Sequence, residues 1–147
     1  MNDWFICKVI YPKMQEDGTM KKATNEYLVE GSTFTDAENL VGEKMIENIS
    51  GDFIVEAVKK EKVAEVFESE VGGYWFKFKV VLTILDEESG REKKKITPVY
   101  LQTLDIKTAI PELMEKMKDS VSDYRIQSVV ETKILDIFRI EEKETKE

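Results

Sequence analysis

The sequence predicts an α+β fold: a tandem-duplicated β-β-α-β unit with a bent last strand, used twice, giving largely antiparallel sheets and pseudo-two-fold symmetry. Two observations carry this reading. The chain repeats itself, and within each repeat the apolar pattern passes from alternation to helical spacing and back to alternation. Trp4-Phe5-Ile6-Cys7-Lys8-Val9 returns as Trp75-Phe76-Lys77-Phe78-Lys79-Val80, and Gly18 with Lys21-Lys22 returns as Gly90 with Lys93-Lys94. Ala37 and Met45 return as Ala109 and Met117, and Val63-Ala64-Glu65-Val66-Phe67 returns as Ile134-Leu135-Asp136-Ile137-Phe138. The offset is 71 at both ends (75 against 4, 134 against 63) and 72 in the middle (90 against 18).

The first element of each copy is a strand. Phe5, Cys7, Val9 and Tyr11 alternate with Trp4, Ile6, Lys8 and Ile10; in the second copy Phe76, Phe78, Val80, Leu82 and Ile84 share a face opposite Trp75, Lys77, Lys79 and Thr83. Asp17-Gly18 and Ser89-Gly90 are turn dipeptides in which glycine is free to take positive φ. A second strand follows near Lys21–Glu30 and Glu92–Thr103, so each copy begins with a β-hairpin.

A helix comes next. Ala37, Leu40, Val41, Lys44, Met45 and Ile49 fall at helical spacing, with Thr35 and Glu38 as the expected capping box and Phe34 as the preceding staple residue. Ala109, Ile110, Leu113, Met114 and Met117 form the equivalent stripe, and Pro111 is expected in its first turn, which makes this helix start late. Each copy then closes with a long extended segment, Asp52–Phe67 and Asp123–Phe138. In the first of these the apolar phase shifts at Lys59-Lys60-Glu61-Lys62, which predicts a bulge or bend and leaves the bent strands free to pair between copies.

The expected organisation is residues 1–68 as first repeat, 69–73 as linker with Gly72-Gly73 for flexibility, 74–140 as second repeat and 141–147 as a disordered acidic tail. Half of a 147-residue chain would be a marginal domain with a thin core, so both repeats are expected in one compact domain. Hydrophobic content of 41% and charged content of 35% describe a globular protein with a solvated exterior. No apolar run approaches the roughly 20 residues that span a bilayer, and Met1-Asn2-Asp3-Trp4 begins no leader peptide. The lone Cys7 fits a reducing cytoplasm.

The run Trp4–Val9, then Glu26-Tyr27-Leu28-Val29-Glu30, Phe34-Thr35-Asp36-Ala37-Glu38, Val58-Lys59-Lys60 and Ala64-Glu65-Val66-Phe67, resembles a family of gut anaerobes and their phages catalogued as a domain of unknown function, number four-four-nine-four. The resemblance covers nearly the whole chain short of the tail. It implies a small cytoplasmic protein from a phage or other mobile element, and it brings no catalytic or binding residues with it.

The residue inventory narrows the chemistry. There is no histidine, which removes Ser-His-Asp triads, Cys-His dyads and the usual zinc sites. Cys7 lies on the apolar phase of its strand and reads as a buried core thiol. No phosphate-binding glycine pattern occurs, and Asp86-Glu87-Glu88-Ser89-Gly90 lacks the spacing of a calcium loop and reads as an acidic hairpin turn. No catalytic residue, cofactor or metal is expected, so the chain is expected not to be an enzyme.

What remains is a surface. Trp4, Lys8, Trp75, Lys77 and Lys79 are expected to project from the faces of the two opening strands away from the core. Because Ile6 and Ile10 share that face, it reads first as a second buried layer or a subunit interface. The expected function is therefore a non-enzymatic binding or scaffold protein acting through a sheet face or edge, with a protein partner or a second copy of itself. The alternative is a phage-type accessory protein binding single-stranded nucleic acid, with bases stacked on Trp and phosphates met by Lys. The net charge of −8 weighs against that alternative, and the mixed runs Arg91–Lys95 and Lys59–Lys62 read as solvated faces. Neither membrane nor metal is expected as a partner.

Overall fold

A computed structural model describes residues 2–49 and 51–140. Among the described residues the chain forms eight strands and two helices. In order these are β1 (Asp3–Met14), β2 (Met20–Gly31), α1 (Phe34–Asn48), β3 (Ile54–Glu61), β4 (Glu65–Phe67), β5 (Tyr74–Leu85), β6 (Glu92–Thr103), α2 (Ile106–Lys116), β7 (Asp123–Glu131) and β8 (Ile134–Phe138). The fold is α+β with two mostly antiparallel sheets, ordered β3-β1-β2-β8 and β4-β6-β5-β7. The expected tail, residues 141–147, lies outside the described residues.

The extended segment that closes each copy is two strands rather than one bent strand. β3 pairs antiparallel with β1, but β4 pairs parallel with β6 of the following copy. In the same way β7 pairs antiparallel with β5, while β8 returns to pair parallel with β2. The shift of apolar phase around Lys62 marks the place where the chain leaves one sheet for another. The chain accordingly divides into two compact units that differ from the two sequence copies: Met1–Lys62 with Ile134–Glu147, and Val63–Lys133. Each unit is one copy's β-β-α-β completed by the short last strand of the other.

The first unit's core is the inner face of its hairpin under α1. Phe5, Cys7 and Val9 of β1, Tyr27 and Val29 of β2, and Ala37, Val41 and Met45 of α1 are buried together with Phe138 of β8. The second unit repeats this with Phe76, Phe78, Val80, Val99, Leu101, Ala109 and Leu113, with Phe67 of β4 packed against them. Both cores follow from strand alternation meeting a helical stripe. Each edge strand also carries a register shift at the matching place, after Lys8 on β1 against β3 and after Lys79 on β5 against β7. Such a bulge twists an edge away from further pairing.

Both helix starts differ from expectation. Thr33, not Thr35, caps α1. Its backbone is extended (φ −137°, ψ 168°) and its side chain accepts a 3.0 Å hydrogen bond from the Asp36 N–H. Asp105 does the same for α2, accepting from the Thr108 N–H at 2.8 Å and the Thr108 hydroxyl at 2.7 Å. That early cap puts Pro111 inside the helix rather than in its first turn. Pro111 and Lys107, whose carbonyl the proline cannot satisfy, are both exposed, so water can supply the missing partner.

The Gly72-Gly73 segment is a tied turn rather than slack. Both glycines take positive φ (80° and 130°), and a side chain on Gly73 would run into the Thr103 carbonyl. Gln102 clamps the turn, its amide nitrogen donating to the Gly73 carbonyl and its amide oxygen accepting from the Ser69 N–H. No described helix is long and apolar enough to cross a membrane.

Candidate functional site

The five surface residues expected from the sequence divide between the units. Trp4 and Lys8 belong to β1; Trp75, Lys77 and Lys79 belong to β5. Lys8 and Lys79 are exposed, and Lys8 lies 3.7 Å from Glu56. Trp4 is half-buried, with the Arg139 guanidinium 5.6 Å from its ring centroid. Lys77 is half-buried and sits 6.0 Å from the Tyr100 ring.

Trp75 lies outside the core under α2 yet is 1% exposed, and its indole Nε1–H has no hydrogen-bond partner among the described residues. Tyr100 and Val81, which share its face of the sheet, are buried too. On β5 alone Lys77 and Lys79 share the Trp75 face, so the strand by itself does not tell a buried layer from a solvated one. The clue lay on the neighbouring strand, where Tyr100 stands opposite Lys77.

Two features that the single-strand reading passed over lie in the first unit. The first is an apolar pocket of about 240 Å³ where the far end of the β1–β2 hairpin meets the start of β3, lined by Ile10, Tyr11, Pro12, Met20, Phe53 and Ile54 together with Lys21, Lys22 and Asp52. Met20 and Ile54 are 57% and 67% exposed at its rim, and Met14, opposite Met20 in the hairpin register, is 68% exposed. Large apolar groups gathered this way on a surface mark a contact site.

The second is a cavity of about 480 Å³ lined by Tyr11, Asn25, Tyr27, Asn48, Asp136 and Phe138, with Pro12, Lys13, Met14, Ile49 and Leu135 completing it. The Asn25 amide nitrogen donates to both phenol oxygens, at 3.0 Å to Tyr27 and 3.4 Å to Tyr11. The Tyr27 ring stacks on Phe138 at 5.0 Å between centroids, so the exchanged strand β8 forms one wall. Asp136 accepts from the Ile137 N–H at 2.8 Å. Burial raises the Tyr27 phenol above its ordinary range despite the Asn25 hydrogen bond that lowers it, and the nearby Tyr11 and Asp136 add to the rise. Tyr27 therefore stays a neutral hydroxyl at ordinary pH.

At the matching register positions the second unit carries different residues. Counterparts of Tyr11, Asn25 and Tyr27 are Leu82, Thr97 and Val99. Those of Met14, Met20 and Ile54 are Leu85, Glu92 and Arg125. Laying one copy of the sequence over the other and marking where polarity changes would have found both sites.

Cys7 is fully buried, and burial first, then the charge of Glu38, pushes its thiol up to about 12. It is a packed side chain with no thiolate at neutral pH. In the second hairpin turn Asp86 accepts from the Glu88 N–H and lies 3.4 Å from Lys93, which makes it a turn residue. Among the described residues no group of three or more Cys, Asp or Glu is arranged to hold a metal ion.

A family model described as "Domain of unknown function (DUF4494)" matches residues 3–140. No curated protein and no solved structure matches the chain.

Proposed function

We propose a function for a chain that belongs to the DUF4494 family: a non-enzymatic binding or scaffold protein, arisen by tandem duplication, whose first unit makes the contact and whose second serves as framework. The observation that carries this reading is the exposed cluster of Met14, Met20 and Ile54 around an apolar pocket, where the second unit has Leu85, Glu92 and Arg125. At two of these three positions the second unit is charged, at Glu92 and Arg125, while the third, Leu85, is apolar and exposed as Met14 is. Methionines suit such a surface because their unbranched, polarisable side chains adapt to a partner.

The partner is a protein, and a second copy of this chain fits the surroundings. Lys13, Lys21 and Lys22 are exposed beside the patch against one lining acid, Asp52, so its rim is net basic on a chain whose net charge is −8. An acidic partner is steered toward that rim before apolar contact forms. The long edges β3 and β7 are bulged and carry Lys59, Lys60 and Arg125, which favours contact through the patch over strand-to-strand addition. The lone buried Cys7 supports a cytoplasmic setting.

Light scattering over a range of concentrations tests this. The intact chain is expected to exceed the monomer mass, and Ile54→Arg, the residue its counterpart position carries, is expected to return it to monomer. A strictly monomeric intact chain at the highest concentrations would overturn self-association through the patch. Single-stranded nucleic acid as partner would have to rely on Trp4, because Trp75 is buried.

A further inference from the structure

We propose that the first unit's polar cavity is a binding site for a neutral, hydroxyl-rich ring: the vicinal hydroxyls of a free sugar or of a nucleoside's ribose. The site adjoins the apolar patch, sharing Tyr11, Pro12 and Met14 with it, but its argument does not depend on self-association.

The argument begins with the hydrogens. Asn25 spends both amide hydrogens on the two phenols. Each phenol oxygen therefore already accepts a bond, and its own O–H hydrogen must point elsewhere. No described residue accepts either one. The cavity thus presents two hydroxyl donors, from Tyr11 and Tyr27, held in place by one amide. Acceptors stand beside them: the Asn25 amide oxygen, and the Asp136 carboxylate, which takes one backbone N–H and keeps further lone pairs.

A sugar hydroxyl is donor and acceptor at once, so a vicinal diol can take a hydrogen bond from a phenol and give one to an amide oxygen or carboxylate. Phe138, stacked on Tyr27, supplies an apolar wall for the C–H side of a ring. Charge argues against a phosphate, since Lys13 is the lining's one cation and Asp136 its one anion. The volume of about 480 Å³ lies within the range of about 300–1,000 Å³ typical of small-molecule sites.

The fold does not require these polar groups. The second unit builds the same hairpin with Leu82, Thr97 and Val99 in their places. An amide and two phenols brought together where Leu82, Thr97 and Val99 suffice are better explained by a ligand than by packing.

Saturation-transfer NMR on the full chain, with glucose, adenosine and inorganic phosphate as separate probes, tests the site. Saturable binding of glucose or of adenosine is expected, and which of the two binds separates free sugar from nucleoside. Tyr27→Phe, which removes one hydroxyl, and Asn25→Thr, the counterpart residue, should each weaken that binding about tenfold or more while the circular dichroism spectrum is kept. Should Tyr27→Phe disturb folding, Asn25→Thr alone decides. Failure of both glucose and adenosine to bind, binding indifferent to Asn25→Thr, or binding of phosphate alone would each overturn the proposal.

Discussion

The two units use one plan and differ in what they place at matching positions. Each has a hairpin under a helix, an antiparallel edge strand with its bulge at the same register, and a parallel strand received from the other copy. Inside the hairpin, the pair Cys7–Tyr27 of the first unit becomes Phe78–Val99 in the second: small against large becomes large against small, which keeps the volume. Around that pair the second unit has Leu82 and Thr97 within, and Glu92 and Arg125 at the rim. The first is polar within, at Tyr11 and Asn25, and apolar at the rim, at Met20 and Ile54. The second unit shows what the fold can do without; the first unit's departures from it are the positions on which the proposed contacts rest.

The received strands give the largest expected difference. Phe138 is 8% exposed within the first core, whereas Phe67 is only half-buried against the second. Phe138→Ala is expected to cost about 3 kcal/mol and Phe67→Ala about half that, read from denaturant unfolding. Equal losses would mean the two exchanges contribute alike and would remove this part of the contrast.

The helix caps give a smaller one, separable by pH. Thr33→Ala should cost about 1 kcal/mol at any pH, since a hydroxyl does not titrate in range. Asp105 behaves differently. The Thr108 hydroxyl and then the Thr108 N–H, donating to its carboxylate, hold its pKa below the usual carboxylate value. A carboxyl whose folded pKa is depressed contributes its full stabilisation above the unfolded pKa and loses it as pH falls through the folded one. Thermal unfolding of the intact chain and of Asp105→Asn should therefore converge as pH drops below the carboxylate range, while the Thr33→Ala gap stays flat. A pH-independent Asp105→Asn gap would refute the assignment.

Much of the fold was legible because it is written in local periodicity. Alternation located β1 and β5, Gly18 and Gly90 marked the hairpin turns with positive φ, and Ala37, Val41 and Met45 named the buried helix face. The phase shift near Lys62 was legible too, but its meaning was not: whether a strand bends or crosses to another sheet depends on pairing between distant residues, such as Glu65 with Val99. The cap at Thr33 was missed because Thr35 also begins a plausible capping pattern, and only backbone angles decide between them. Alternation assigned Trp75 to the face away from the helix but could not say what lies on that face, where Trp75 and Tyr100 are buried. Tyr11, Asn25 and Tyr27 were invisible singly: Asn25 bonds the phenols only once the hairpin register sets them side by side.

The central claim is that the first unit's departures serve binding and not folding. The melting temperature of a chain carrying Tyr11→Leu, Met20→Glu, Asn25→Thr and Ile54→Arg, each the residue of the second unit, tests it most directly. The account predicts a midpoint equal to or above that of the unaltered chain, since groups kept for binding are not kept for stability. A fall of more than about 5 °C, which is on the order of 1–2 kcal/mol for a domain of this size, would show that these residues hold the first unit together and would contradict it.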